Sequence, residues 1–136
     1  MKRNQPTLTV DGIIVFGKRV LLIKRKNNPY RGMYALPGGF VEYGETVEKA
    51  IIREVLEETG IITRVDRLIG VYSDLKRDPR GHMISIVFRL NVVGGVLHAS
   101  DDAMSVEFVP IQRLKEIKLA FDHKKILVDA YLIKNK

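Results

Sequence analysis

In the stretch PGGFVEYGETVEKAIIREVLEETGI, residues 37–61, three glutamates stand close together at Glu54, Glu57 and Glu58. On a helix advancing by about 100° per residue they share an arc of about 100°. No lysine or arginine follows any of them by four residues, so the usual helical ion pair does not relieve their repulsion. Val47, Ala50 and Ile51 project into or beside the same sector, and Ile52, Val55 and Leu56 continue the apolar surface. The carboxylates therefore sit at the edge of a core-facing side. Crowded and partly desolvated, they have raised pKa values unless a cation intervenes. Hard oxygen donors gathered without closing into a cage suit Mg²⁺ or Mn²⁺, which keep water ligands and bridge to phosphate. The competing reading is a solvated acidic helix face.

The surrounding elements have to position that helix. Thr46 is suited to an N-cap and Gly60 to a C-terminal stop, which predicts a helix over 47–59. Before it, LTVDGIIVF and RVLLIKR flank a GK turn and read as a hairpin, followed by the short extended piece MYALPGGFV. After it come strands at 65–74 and 83–93, the second alternating through Ile84, Ile86, Phe88 and Leu90. Between these two strands lies the turn KRDPRGH. A strand at 105–110, a short helix at 111–117 and an amphipathic helix at 123–133 complete the pattern. Strands interleaved with helices give an α/β fold, a mixed β-sheet covered by helices.

At 136 residues the chain is long enough for one domain with a real core, and residues 1–136 are expected to form it. The absence of cysteine excludes disulfides and thiolate metal sites and agrees with a reducing compartment. No signal-like segment follows the basic N-terminus, and no apolar run is long enough to cross a bilayer, so a cytoplasmic protein with no membrane partner is expected. The net charge of +7 is dispersed in short patches without a long basic run. A small anionic substrate fits it better than general nucleic-acid binding.

The flanks decide between metal site and solvated face. Gly39, five residues, Glu45, seven residues, Arg53-Glu54-Val55, one residue, Glu57-Glu58, one residue, Gly60-Ile61 matches the Nudix hydrolase signature at every defined position. The chain thus resembles that family, whose box, here 39–61, is a loop–helix–loop within an α/β/α sandwich that binds divalent metal. Members cleave a nucleoside diphosphate linked to another group. The resemblance implies metal ligation by Glu54, Glu57, Glu58 and the Gly38 carbonyl, with Arg53 and Glu45 as catalytic supports. It also implies Mg²⁺, replaceable by Mn²⁺, and a small nucleotide substrate; family proteins of this size often dimerise, which makes a homodimer one candidate assembly. For the residue that takes a proton from water, Glu57, Glu107, Asp101 and Asp102 all stand open.

Outside the box, YALPGGFVEYGETVE and SDLKRDPRGHMISIVF are similar to ADP-ribose pyrophosphatases and to related Nudix proteins that sense ADP-ribose. This implies hydrolysis of ADP-ribose to AMP and ribose 5-phosphate, with Arg25, Arg77 and Arg80 as substrate-binding candidates. Tyr30, Tyr34 and Tyr72 are candidates for stacking on the base, and His82 reads as a polar turn residue. Arg77 and Arg80 are expected to be surface turn arginines with little bearing on stability. The alternatives are a pyrophosphohydrolase acting on oxidised nucleoside triphosphates of the 8-oxo-dGTP type and a non-catalytic ADP-ribose-binding regulator. Similar regulators have a degraded box and an added DNA-binding domain, whereas this box is intact and the chain is expected to have no room for such a domain.

Overall fold

The computed structural model describes residues 4–134, so the terminal charges at Lys2, Arg3 and Lys136 lie outside it. The hairpin forms where expected, from β1 (Thr7–Phe16) and β2 (Arg19–Arg25). Its two turn residues, Gly17 and Lys18, both have positive φ, the twist that suits a two-residue hairpin. The strands pair only near this turn, Val15 with Val20 and Phe16 with Arg19, and then separate. Two short strands enter the gap. β3 (Tyr34–Ala35) takes the edge of β2, and β4 (Gly38–Phe40) takes the edge of β1.

The helix α1 (Val47–Thr59) has the predicted bounds. Thr46 caps it by accepting from the Lys49 N–H at 3.1 Å. Gly60 ends it with φ +78°, and a Cβ there would strike the Val96 carbonyl. The chain turns at once into β5 (Ile61–Tyr72), which starts four residues earlier than its periodicity suggests and pairs antiparallel with β6 (Met83–Gly95). β6 runs parallel to β1, and β7 (Ala103–Pro110) antiparallel to β2, so the sheet is mixed. The expected alternation along β6 is only half the pattern. Phe88 and Leu90 pack under α1, but Met83, Ser85 and Val87, which alternate with the expected apolar positions, are buried as well. A central strand covered on both faces has no polar side.

One core cluster packs α1, through Ala50, Ile51 and Val55, on Val10, Ile14, Leu21 and Phe88. The other packs α2 (His123–Asp129), through Ile126 and Leu127, on Ile13, Val20, Leu22 and Val87. Helices thus cover both faces of the sheet. Two helix predictions needed correction. Residues 111–116 form a 3₁₀ turn, and α2 ends at Asp129, four residues before the expected end at 133. Tyr131 adopts φ +64°, and the N–H groups of Leu132 and Ile133 bond back to the Leu127 carbonyl at 2.9 and 3.3 Å. This is a Schellman-type ending that buries Ile133 without the glycine that usually announces it.

Candidate active site

Along α1 the charges are sorted by ridge. Ala50, Glu54 and Glu58 follow one another beside the buried ridge of Ile51, Val55 and Thr59, while Arg53 and Glu57 form the next ridge outward. The Glu54 side chain is accordingly 15% exposed and that of Glu57 58% exposed. Glu58 is partly buried and accepts from the Gly38 N–H at 2.7 Å. The Glu54 carboxylate occupies the space where a residue other than glycine at position 39 would carry its Cβ. Relief for Glu57 comes from the turn before it. Arg53 donates from Nη1 to Glu57 at 3.1 Å and grips Glu45 through Nε and Nη2 at 2.6 and 2.9 Å. Its Nη2 also reaches the Phe40 carbonyl, and Nη1 lies 3.7 Å from Glu54. The Arg53 hydrogen bond holds the Glu45 carboxyl down at about 2.

Gly39, Glu54, Glu57 and Glu58 border a pocket of about 300 Å³ at the place where β1 and β2 part. Gly38, Glu54, Glu57 and Glu58 supply one wall, while Glu45 and Arg53 brace it from behind. Arg25, Arg77 and Arg80 reach the same pocket. Arg77 differs from expectation: it is 8% exposed and forks onto Asp122 through Nε at 2.9 Å and Nη2 at 2.7 Å. Arg80 forks onto Asp78 at 3.1 and 2.8 Å. Among the described residues Arg25 forms no ion pair, and its Nε donates to the Pro29 carbonyl at 2.7 Å. Of the proton-acceptor candidates, Glu57 and Asp102 line the pocket. Glu107 lies opposite Leu22, on the face of β2 away from Ile23 and Arg25, where the Tyr34 hydroxyl donates to it at 2.6 Å. Asp101 and His82 stay outside, and so do Tyr30, Tyr34 and Tyr72.

The residues of the pocket floor are not among the sequence-based candidates. Asp11 is buried there, accepting from the Ser85 hydroxyl, with His123 Nε2 3.8 Å from its other oxygen. The Leu36 N–H donates to His123 Nδ1 at 3.0 Å, which places the ring proton on Nε2, facing Asp11. A lone aspartate inside the apolar run LTVDGIIVF was the available signal for Asp11. Nothing local marked His123. The pocket also contains Phe121, an aromatic side chain absent from the sequence-based candidates.

Burial dominates the electrostatics. It pushes the Glu58 carboxyl up to about 8 and the Glu54 carboxyl up to about 7, and their negative neighbours add to both shifts. Burial likewise lifts Asp11 to about 7 and drops His123 to about 3. Among the described residues no three His, Cys, Asp or Glu side chains are close enough to enclose an ion by themselves. The oxygens lining the pocket include two on desolvated carboxylates, Glu54 and Glu58, in want of a positive charge. A hard divalent cation fits that set.

These shifts have a sign in stability. The raised carboxylates bind protons more tightly folded than unfolded, so they destabilise the metal-free fold as pH rises from about 4.5 through their folded values. His123 acts the other way below its ordinary value of 6.5, because unfolding lets it take up a proton. Above 6.5 the carboxylates act alone. With Glu54, Glu58 and Asp11 all raised by burial, metal-free protein is expected to lose roughly 3 kcal/mol, or about 10 °C in Tm, between pH 6.5 and 8. Glu58→Gln should remove about half of that fall in a pH series of thermal melts, and an unchanged slope would contradict the buried charge.

A family model described as "NUDIX domain" matches residues 6–130. The chain belongs to the NUDIX family. It is 59% identical over 130 residues to an ADP-ribose pyrophosphatase of Methanocaldococcus jannaschii, covering 96% of this chain and 76% of that one. A MutT/nudix family protein from Enterococcus faecalis superposes with a TM-score of 0.82 at 30% identity, over 96% of this chain and 62% of that one. A bifunctional NMN adenylyltransferase/ADP ribose pyrophosphatase from Francisella tularensis, complexed with AMP and a Mn ion, gives 0.78 at 26% identity. That match covers 98% of this NUDIX chain but 44% of the larger protein. Among the described residues no helix is long and apolar enough to cross a membrane.

Proposed function

We propose that this NUDIX protein is a metal-dependent hydrolase that cleaves ADP-ribose to AMP and ribose 5-phosphate. The observation that carries the substrate is the 59% identity to an ADP-ribose pyrophosphatase over nearly the whole chain. The pocket supports it. Arg77 and Arg80 have their forks engaged by Asp122 and Asp78, which leaves Arg25 as the lining arginine without a carboxylate partner among the described residues. A diphosphate bridging two uncharged sugars suits such a sparsely cationic pocket better than a triphosphate chain does.

Glu54, Glu58 and the Gly38 carbonyl would hold the cation, Mg²⁺ with Mn²⁺ as a substitute, and Glu57 would complete the set from the rim. Once bound, the cation would offset the diphosphate charge, polarise phosphorus and lower the pKa of a coordinated water. Arg25 anchors a phosphate oxygen at the far wall. Arg53 fixes the orientation of Glu57, and Glu45 fixes Arg53. Glu57, or Asp102 across the rim, takes the proton of the attacking water. The same reading takes residues 1–136 as one domain working in the cytoplasm on a small nucleotide, with a homodimer as one candidate assembly.

A panel comparing ADP-ribose with 8-oxo-dGTP tests the substrate. ADP-ribose is expected to show the higher kcat/KM, by at least about tenfold. A preference for 8-oxo-dGTP with release of inorganic pyrophosphate would replace this reading with the sanitising one.

A further inference from the structure

Three loops meet at one ring in the pocket. Phe121 lies just before α2, Arg25 ends β2, and Arg80 belongs to the β5–β6 turn. The Arg25 guanidinium carbon is 5.0 Å from the Phe121 ring centroid and that of Arg80 is 5.5 Å away. Both distances fall within the range where an aromatic face attracts a cation. Each arginine is tied to its own loop by other bonds, Arg25 to the Pro29 carbonyl and Arg80 to Asp78. The ring of Phe121 contacts both.

The ring is itself held in place. Tyr30 packs against it edge-on at 4.7 Å between centroids, and His123 lies at 5.4 Å. Tyr30 and Phe121 adopt φ of +62° and +53°, left-handed conformations that are uncommon for aromatic residues and persist where the surroundings impose them. With Phe121 at the pocket wall and Tyr30 packed behind it, two such residues in mutual contact indicate that the backbone is bent to present the ring. Proximity of like charge also matters. Burial and the neighbouring Arg80 both lower the pKa of Arg25, so the two cations repel across the space the ring spans.

We propose that Phe121 is a positioning residue for substrate binding: its ring holds the guanidiniums of Arg25 and Arg80 together at one end of the pocket, facing the glutamate wall. This rests on the reading of the pocket as a diphosphate site and adds the device that keeps its cationic end assembled. Without the ring face, repulsion separates the arginines and Arg25 loses its aim at the phosphate. The chemistry at the glutamate wall is untouched.

The test is a double-mutant cycle with Phe121→Leu and Arg25→Ala, assayed on ADP-ribose. Phe121→Leu is expected to raise KM about tenfold with kcat within about twofold, and Phe121→Tyr, which keeps a ring face, to restore most of the loss. On the Arg25→Ala background Phe121→Leu should cost less than about twofold, because the group it positions is gone. Multiplicative losses, or a drop in kcat at unchanged KM, would overturn the proposal. If Phe121→Leu does not fold, Phe121→Met replaces it in the same cycle, with the same outcomes deciding. If the wild type ignores ADP-ribose and cleaves 8-oxo-dGTP, the substrate reading fails by itself. The cycle is then run on that nucleotide, where coupling still supports the positioning role and additivity still refutes it.

Discussion

Replacing Glu58 by glutamine is expected to lower kcat for ADP-ribose by about a hundredfold or more while leaving the protein folded. The amide keeps the length of the side chain and still offers an oxygen to the Gly38 N–H, so the Gly38–Phe40 strand stays where it is. On the proposed reading, what is lost is a charge that would hold the cation in a desolvated pocket, and the removal of one such electrostatic group typically has that effect. Stability should move in the opposite direction. The carboxylate is pushed up to about 8 by burial, so at pH 8 the metal-free variant no longer bears the strain of a buried charge and should melt higher than wild type. Glu54→Gln should behave in the same way, because its carboxyl is also raised by burial. Near-normal turnover in either variant would remove that glutamate from the site. A lower metal-free Tm would show that the charge is stabilised by something other than a cation.

Arg77→Ala is expected to cost roughly 3 kcal/mol of stability, a fall in Tm of about 10 °C. Arg77 joins the β5–β6 turn to the residue that precedes α2, and its side chain is 5% exposed against 19% for Asp122. Removing the guanidinium leaves that carboxylate without its fork. Arg77→Lys returns a charge but not the two parallel bonds, so it should recover only part of the loss. Arg80→Ala should be milder: its side chain is 40% exposed, and Asp78, though only 3% exposed, still accepts from the backbone N–H of residue 80 at 2.9 Å. The variant's Tm should change by a few degrees at most. Equal melting of the Arg77→Ala variant and wild type would refute the structural role of the pair.

How legible each part was in the sequence follows from the distance over which its cause acts. The box helix was readable to the residue, because its cap at Thr46, its stop at Gly60 and the ordering of its ridges are all local. The fixed spacing from Gly39 to Ile61 also identified the family. The setting of Arg77 was not readable, because its partner Asp122 lies 45 residues away and the turn KRDPRG gives no sign of a buried fork. The orientation of Glu107 depended on its register against Leu22 across two strands. The pocket floor is assembled from Asp11 and His123, with Ser85 bonded to Asp11 behind them, three residues from three distant elements, each unremarkable alone. Early termination of α2 without a glycine was likewise set by the burial of Ile133.

The most direct measurement is product analysis of the wild-type reaction with ADP-ribose, with Mg²⁺ present, stripped by EDTA and added back. AMP and ribose 5-phosphate are expected in equal amounts with Mg²⁺, with no turnover in EDTA and recovery when the metal returns. Undiminished cleavage after verified metal removal, or no AMP from ADP-ribose at saturating Mg²⁺, would refute metal-dependent hydrolysis of this substrate.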